Sequence, residues 1–151
     1  MIDDPNKGMS LIVKTITRLT VGLILLFGIY IVAHGHVSPG GGFAGGVIIA
    51  LSFIHIMLAF GKEVAFKKVN QNIASIFESL GALFFITLAI FGLGTGYFFF
   101  NFLKKGEPFK LFSSGFIPLT NIAISLKVGA GLFIIVIILV LLKISKETES
   151  K

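Results

Sequence analysis

Four stretches of this chain, at about residues 11–33, 41–60, 73–100 and 118–142, each stay apolar for the ~20 residues needed to cross a bilayer's hydrocarbon core. That feature limits the fold more than any other. A spanning backbone must satisfy its own hydrogen bonds, which leaves helices or a closed barrel. None of the four runs alternates apolar and polar residues as barrel strands do. The expected fold is therefore an all-α integral membrane protein, one domain over residues 1–151, with four transmembrane helices arranged as two hairpins.

Composition supports that reading and removes several function classes. Charged residues make up 13% of the chain, about half the usual share of a soluble domain. The net charge of +6 does not indicate nucleic acid. The basic residues form no patch with interleaved aromatics and fall instead at the edges of the apolar runs. With no cysteine there is no disulfide, thiolate metal site or thiol nucleophile. Both aspartates stand in the polar N-terminal stretch, which leaves no Ser-His-Asp set. That stretch, "MIDDPNKGMS", is acidic before it is basic and has no signal-cleavage pattern, so the first run is expected to be retained.

The lysines and arginine set the expected direction. Lys7, Lys14 and Arg18 lie at the start of the first run, and Lys62, Lys67 and Lys68 lie between the second and third. Lys143, Lys146 and Lys151 follow the fourth, whereas the opposite side carries Lys104, Lys105 and Lys110. The positive-inside rule then places both termini in the cytoplasm. The segment "GKEVAFKKVNQN" reads as a short amphipathic connector on the cytoplasmic face.

The stretch "HGHVSPGGGFAGG", residues 34–46, is the richest in glycine. Pro39 suits a turn before a new helix. Gly40, Gly41 and Gly42 permit positive φ and a tight hairpin. Gly41/Gly45 and Gly42/Gly46 have the small-xxx-small spacing that lets a neighbouring helix approach closely. A phosphate-binding loop is excluded, because no Lys-Ser or Lys-Thr follows. Close packing is favoured over a second reading, in which the helix start points at a polar cavity or ion path.

"HGHVSPGGGFAGGVIIALSFI" and "IPLTNIAISLKVGAGLF" (residues 117–133) closely resemble two signatures of the B subunit of Mrp-type multisubunit Na+/H+ antiporters. A related subunit belongs to archaeal membrane-bound hydrogenases and similar energy-converting complexes. The resemblance implies a small accessory subunit of a cell-membrane complex, in contact with other membrane subunits and the lipid bilayer. It implies Na+ and H+ as the transported ions, with no cofactor in this chain and no catalysis of its own. Within the second signature, Gly129 and Gly131 are expected to serve helix packing.

Ionisable groups inside a span are functional candidates, costing at least ~2.5 kcal/mol at the bilayer centre. Glu78 and His55 are expected at similar depth, facing each other or a shared hydrated cavity. Ser75 and Ser79, in "FESLG", stand near Glu78 as further oxygen ligands for a hard cation. Lys127 is expected to be buried and too far along the membrane normal to reach Glu78. Its expected partners are carbonyls of the glycine turn, His34, His36, or a carboxylate from another subunit. His34 and His36 lack the i, i+4 spacing of helical metal ligands. Two function readings follow: a subunit that helps form or line a cation/proton path, and a purely structural assembly subunit.

Overall fold

The computed structural model describes residues 9–61, 71–94, 96–107, 110 and 113–149, with side chains as far as Leu142. Four helices follow one another: α1 (Leu11–His34), α2 (Gly42–Phe60), α3 (Gln71–Leu93) and α4 (Ile117–Glu149). All are long and apolar enough to span a membrane, the fourth through Ile117–Leu142, and no strand occurs among the described residues. The outward surface is what lipid requires. Leu11, Leu19, Leu23 and Leu26 on α1 are 79, 72, 67 and 65% exposed. The expected connector falls mostly at residues 62–70, outside the described residues.

α4 is the centre of the bundle. α2 and α3 each pack extensively on it, and α1 packs mainly on α2. Gly42 lies against Asn121 and Gly46 against Ser125, so α2 and α4 ascend together. Gly81 lies against Ala123 and Lys127, while Glu78 lies near Gly131, so α3 runs antiparallel to α4. The first hairpin thus docks on the second through the parallel α2–α4 pair. Met57, Ala74, Phe133 and Ile137, drawn from α2, α3 and α4, form a buried apolar cluster. Nearby, α2 and α3 wall an apolar groove of about 310 Å³ whose lining includes Phe53, Phe77, Gly129 and Phe133.

The hairpin between α1 and α2 follows from the glycines. The His34 carbonyl accepts the N–H groups of Val37 (2.8 Å) and Ser38 (2.9 Å). Gly40 and Gly41 then take φ of 152° and 99°, a region that side chains oppose. At the other end of the pair, the Met9 N–H donates to the Ala59 carbonyl (2.9 Å), tying the entry of α1 to the exit of α2.

One boundary differs from expectation. The third helix ends at Leu93 rather than Phe100. Gly96 and Phe99 both have positive φ, and the chain folds back so that Phe99 N–H meets the Ala89 carbonyl at 3.4 Å. A methyl on Gly92 would lie 2.6 Å from the Phe100 nitrogen, so only glycine admits this return. The phenylalanines in the apolar run do not prolong the helix; they roof its end, with Phe99 against Phe85 and Phe102 stacked on Phe116.

Candidate functional site: the α3–α4 ion pair and the glycine seam

Glu78 and Lys127 form an ion pair, Nζ to Oε1 at 3.3 Å, across the α3–α4 interface. This overturns the expectation that depth keeps them apart, and with it the need for a carboxylate from another chain. The reason lies in two glycines. A methyl on Gly81 would fall 2.7 Å from the Lys127 nitrogen and 2.9 Å from the Ala123 carbonyl, so the two backbones touch there. Lys127 is therefore level with Gly81, and its side chain need reach only one turn along α3 to meet Glu78. One turn along α4, Gly131 leaves room for the Glu78 carboxylate, whose Oε1 would lie 3.5 Å from a methyl there.

Nor is Lys127 buried as expected. Its side chain is 51% exposed and that of Glu78 37%, so the pair opens to one flank of the bundle. The contact is longer than the ~2.7–2.9 Å of a strong charge-assisted hydrogen bond. Two opposite charges thus meet at the α3–α4 interface with part of each side chain exposed.

His55 does not join this pair. α2 and α3 each pack on α4 rather than extensively on each other, and His55 turns toward α1, where its Nε2 meets the Thr17 hydroxyl at 3.2 Å. Thr17 is 1% exposed and was not singled out in the sequence, where it is one threonine among several in an apolar helix. Ser75 and Ser79 are exposed on α3 and line a shallow groove with Asn72, Ile76 and Leu80 that does not include Glu78.

The histidines of the turn lie at the other end of α1. His34 stacks on Tyr30 with ring centroids 4.2 Å apart, and Nε2 of His36 meets the Lys110 carbonyl at 3.3 Å. Neither reaches Lys127 or Glu78 by any hydrogen bond or ion pair. Nδ1 of each is buried with no hydrogen-bond partner among the described residues, as is Nδ2 of Asn121.

The glycines form a seam with two faces. Gly42 and Gly46 face α4: a methyl on Gly46 would lie 2.9 Å from the Ser125 carbonyl, and one on Gly42 would strike the Asn121 carbonyl. Gly45 faces α1, where a methyl would lie 2.9 Å from the Gly28 carbonyl. Gly41 faces the Asn121 side chain, and Gly129 meets the Gly46 carbonyl from the α4 side. Asn121 also accepts the Gly42 N–H through Oδ1 (3.3 Å), satisfying one of the free donors at the start of α2. Gly28, Gly81 and Asn121 were missed as contacts in the sequence. Asn121 stood inside a quoted signature, and Gly81 closes "FESLG", so spacing from Glu78 was the available signal.

Comparison with known proteins agrees with this architecture. Residues 12–134 match a family described as a domain related to the MnhB subunit of Na+/H+ antiporters. The chain is 34% identical over 103 residues to the putative antiporter subunit mnhB2 of Staphylococcus aureus (strain Newman), covering 68% of this chain and 65% of that one. It is 37% identical over 139 residues to an uncharacterized protein of Methanocaldococcus jannaschii, covering 84% of this chain and 53% of that one. Among solved structures it matches a chain of the membrane-bound sulfane sulfur reductase, an archaeal respiratory membrane complex. That match has a TM-score of 0.75 at 34% identity, over 88% of this chain and 59% of the other. The chain thus spans between about half and two thirds of the length of these relatives. With four membrane-spanning helices and a family match over most of its length, the chain belongs to the family of proteins related to the MnhB subunit of multisubunit Na+/H+ antiporters.

Proposed function

We propose that this protein is a small, non-catalytic membrane subunit whose α3–α4 flank helps form a cation/proton path, with Glu78 and Lys127 as the working groups. The observation that carries the reading is the ion pair itself, held within two membrane spans yet open to one side. Charges in a span are costly unless they face a bundle interior or a hydrated route. Lys127 neutralises Glu78 when no ion is present. A Na+ or proton arriving at the carboxylate displaces the ammonium, and the returning ammonium expels it. Binding of either cation raises the local charge by one, which the displaced ammonium carries at the exposed flank until it returns and the ion leaves.

The host complex is either an Mrp-type antiporter or the antiporter-like arm of a respiratory or hydrogenase complex. Purification of the native complex, with its neighbours identified by mass, separates these hosts. A second reading, an assembly subunit that carries no ions, is favoured by the glycine seam, whose contacts are packing contacts. Glu78→Gln in the assembled complex decides between them. The ion-path reading predicts normal assembly with antiport lost; the assembly reading predicts antiport retained.

A further inference from the structure

Gly131 differs from the other glycines between the helices. A methyl added to Gly42, Gly46 or Gly81 would strike the backbone of the facing helix, and Gly129 meets the Gly46 carbonyl at 3.3 Å. Gly131, two residues further along, points to the other side of α4, toward α3. Across that interface a methyl would have one group of the described residues within 4 Å, the Glu78 carboxylate, with Oε1 at 3.5 Å and Cδ at 3.6 Å. Those are ordinary contact distances, with no clash. Close approach of the backbones therefore does not require glycine here.

A glycine inside a helix weakens it, because it adds backbone freedom and packs no side chain. What this glycine supplies is room against a carboxylate. Gly131 lies one turn beyond Lys127 on the same stripe of α4. The room therefore adjoins Oε1, the oxygen that holds the Lys127 ammonium at 3.3 Å. The two helices touch at Gly81 and Lys127, and at Gly131 no α3 backbone atom comes within 4 Å of the methyl position.

The two ions of the proposed exchange differ in what they need at that oxygen. A proton bonds to one carboxylate oxygen and takes no further space. A hard metal cation gathers several oxygen ligands at once and keeps water where the protein supplies too few. Those oxygens need volume beside the carboxylate, and available room is one of the quantities that sort ions at such sites.

We infer that Gly131 is a specificity-determining residue: by leaving space beside Glu78 Oε1, it admits the oxygen shell of Na+ and so lets Na+ compete with the proton. The inference rests on the proposed function and deepens it, from a path for cations to a site whose choice of ion depends on one missing side chain.

Gly131→Ala in the assembled complex tests it, with Glu78→Gln as companion. The methyl fits at contact distance, so Gly131→Ala should assemble like wild type on native gels. In vesicles the Na+ concentration for half-maximal antiport should rise several-fold, far more than any change in the rate at saturating Na+. A packing role would instead lower assembly or the saturating rate and leave half-saturation where it was. Lost assembly, a lowered saturating rate at unchanged half-saturation, or kinetics equal to wild type would each overturn the inference and leave the Glu78 reading standing. Antiport retained by Glu78→Gln would remove that reading, and this inference with it.

Discussion

The two faces of α4 are built on opposite principles. Toward α2 it meets a tight glycine seam, where an added methyl at Gly42 or Gly46 strikes backbone atoms. Toward α3 it also closes on a glycine, Gly81, but beside that contact the interface opens and holds a loose ion pair. Apolar side chains gain nothing from leaving lipid for one another, so close van der Waals packing supplies the cohesion of the first face. The second face gives up some of that packing beside the ion pair. Under the proposed function, assembly falls to the seam and ion handling to the flank.

The seam should show the largest effect. Gly42→Leu or Gly46→Leu should abolish assembly on native gels, since the opposing atoms are backbone and cannot move aside. Gly46→Ala should give a partial loss, roughly 1–3 kcal/mol as for an overpacked core. Normal assembly of Gly46→Leu would show that the seam is not what joins the hairpins. Next comes the flank. Glu78→Ala should assemble and lose antiport, measured in vesicles, because the lateral pair is not part of the packed seam.

Smaller effects sharpen the contrast. Thr17→Val removes the partner of His55 at a buried position and should lower thermal stability by about 1 kcal/mol. His36→Ala should be the mildest, with assembly and antiport near wild type, because its described side-chain bond is a 3.3 Å contact to the Lys110 carbonyl. A large change in antiport from His36→Ala would move the ion-handling region toward the turn. The direction of insertion is a separate expectation. Ser38→Cys and Gly106→Cys should be labelled by impermeant reagents from outside only. Outside labelling of Ala65→Cys would reverse the assignment.

The number of spans and the close-packing role of the glycines were legible in the sequence, because both depend on local chemistry: run length, and the absence of a side chain. The ion pair was not, because it depends on register between two helices. Counted from Phe100 and Pro118 as helix ends, Glu78 and Lys127 differ in depth by about 20 Å at ~1.5 Å per residue. Counted from the observed ends, Leu93 and Ile117, the difference falls to about 8 Å at the same rise, a gap two long side chains can close. The error came from reading an apolar, phenylalanine-rich run as helix, where the glycines at 92, 94 and 96 turn the chain back on itself. The same kind of long-range information was missing for His55. Its depth could be counted, but nothing local shows that α2 turns that side toward Thr17 rather than toward α3.

Antiport by the complex carrying Lys127→Ala tests the division between seam and flank most directly. Lys127 touches the seam at no point in its side chain's described bonds, yet it is half of the ion pair. The predicted result is a complex that assembles like wild type on native gels and no longer exchanges Na+ for H+ across vesicle membranes. A complex that assembles and exchanges at the wild-type rate would contradict the role given to the flank.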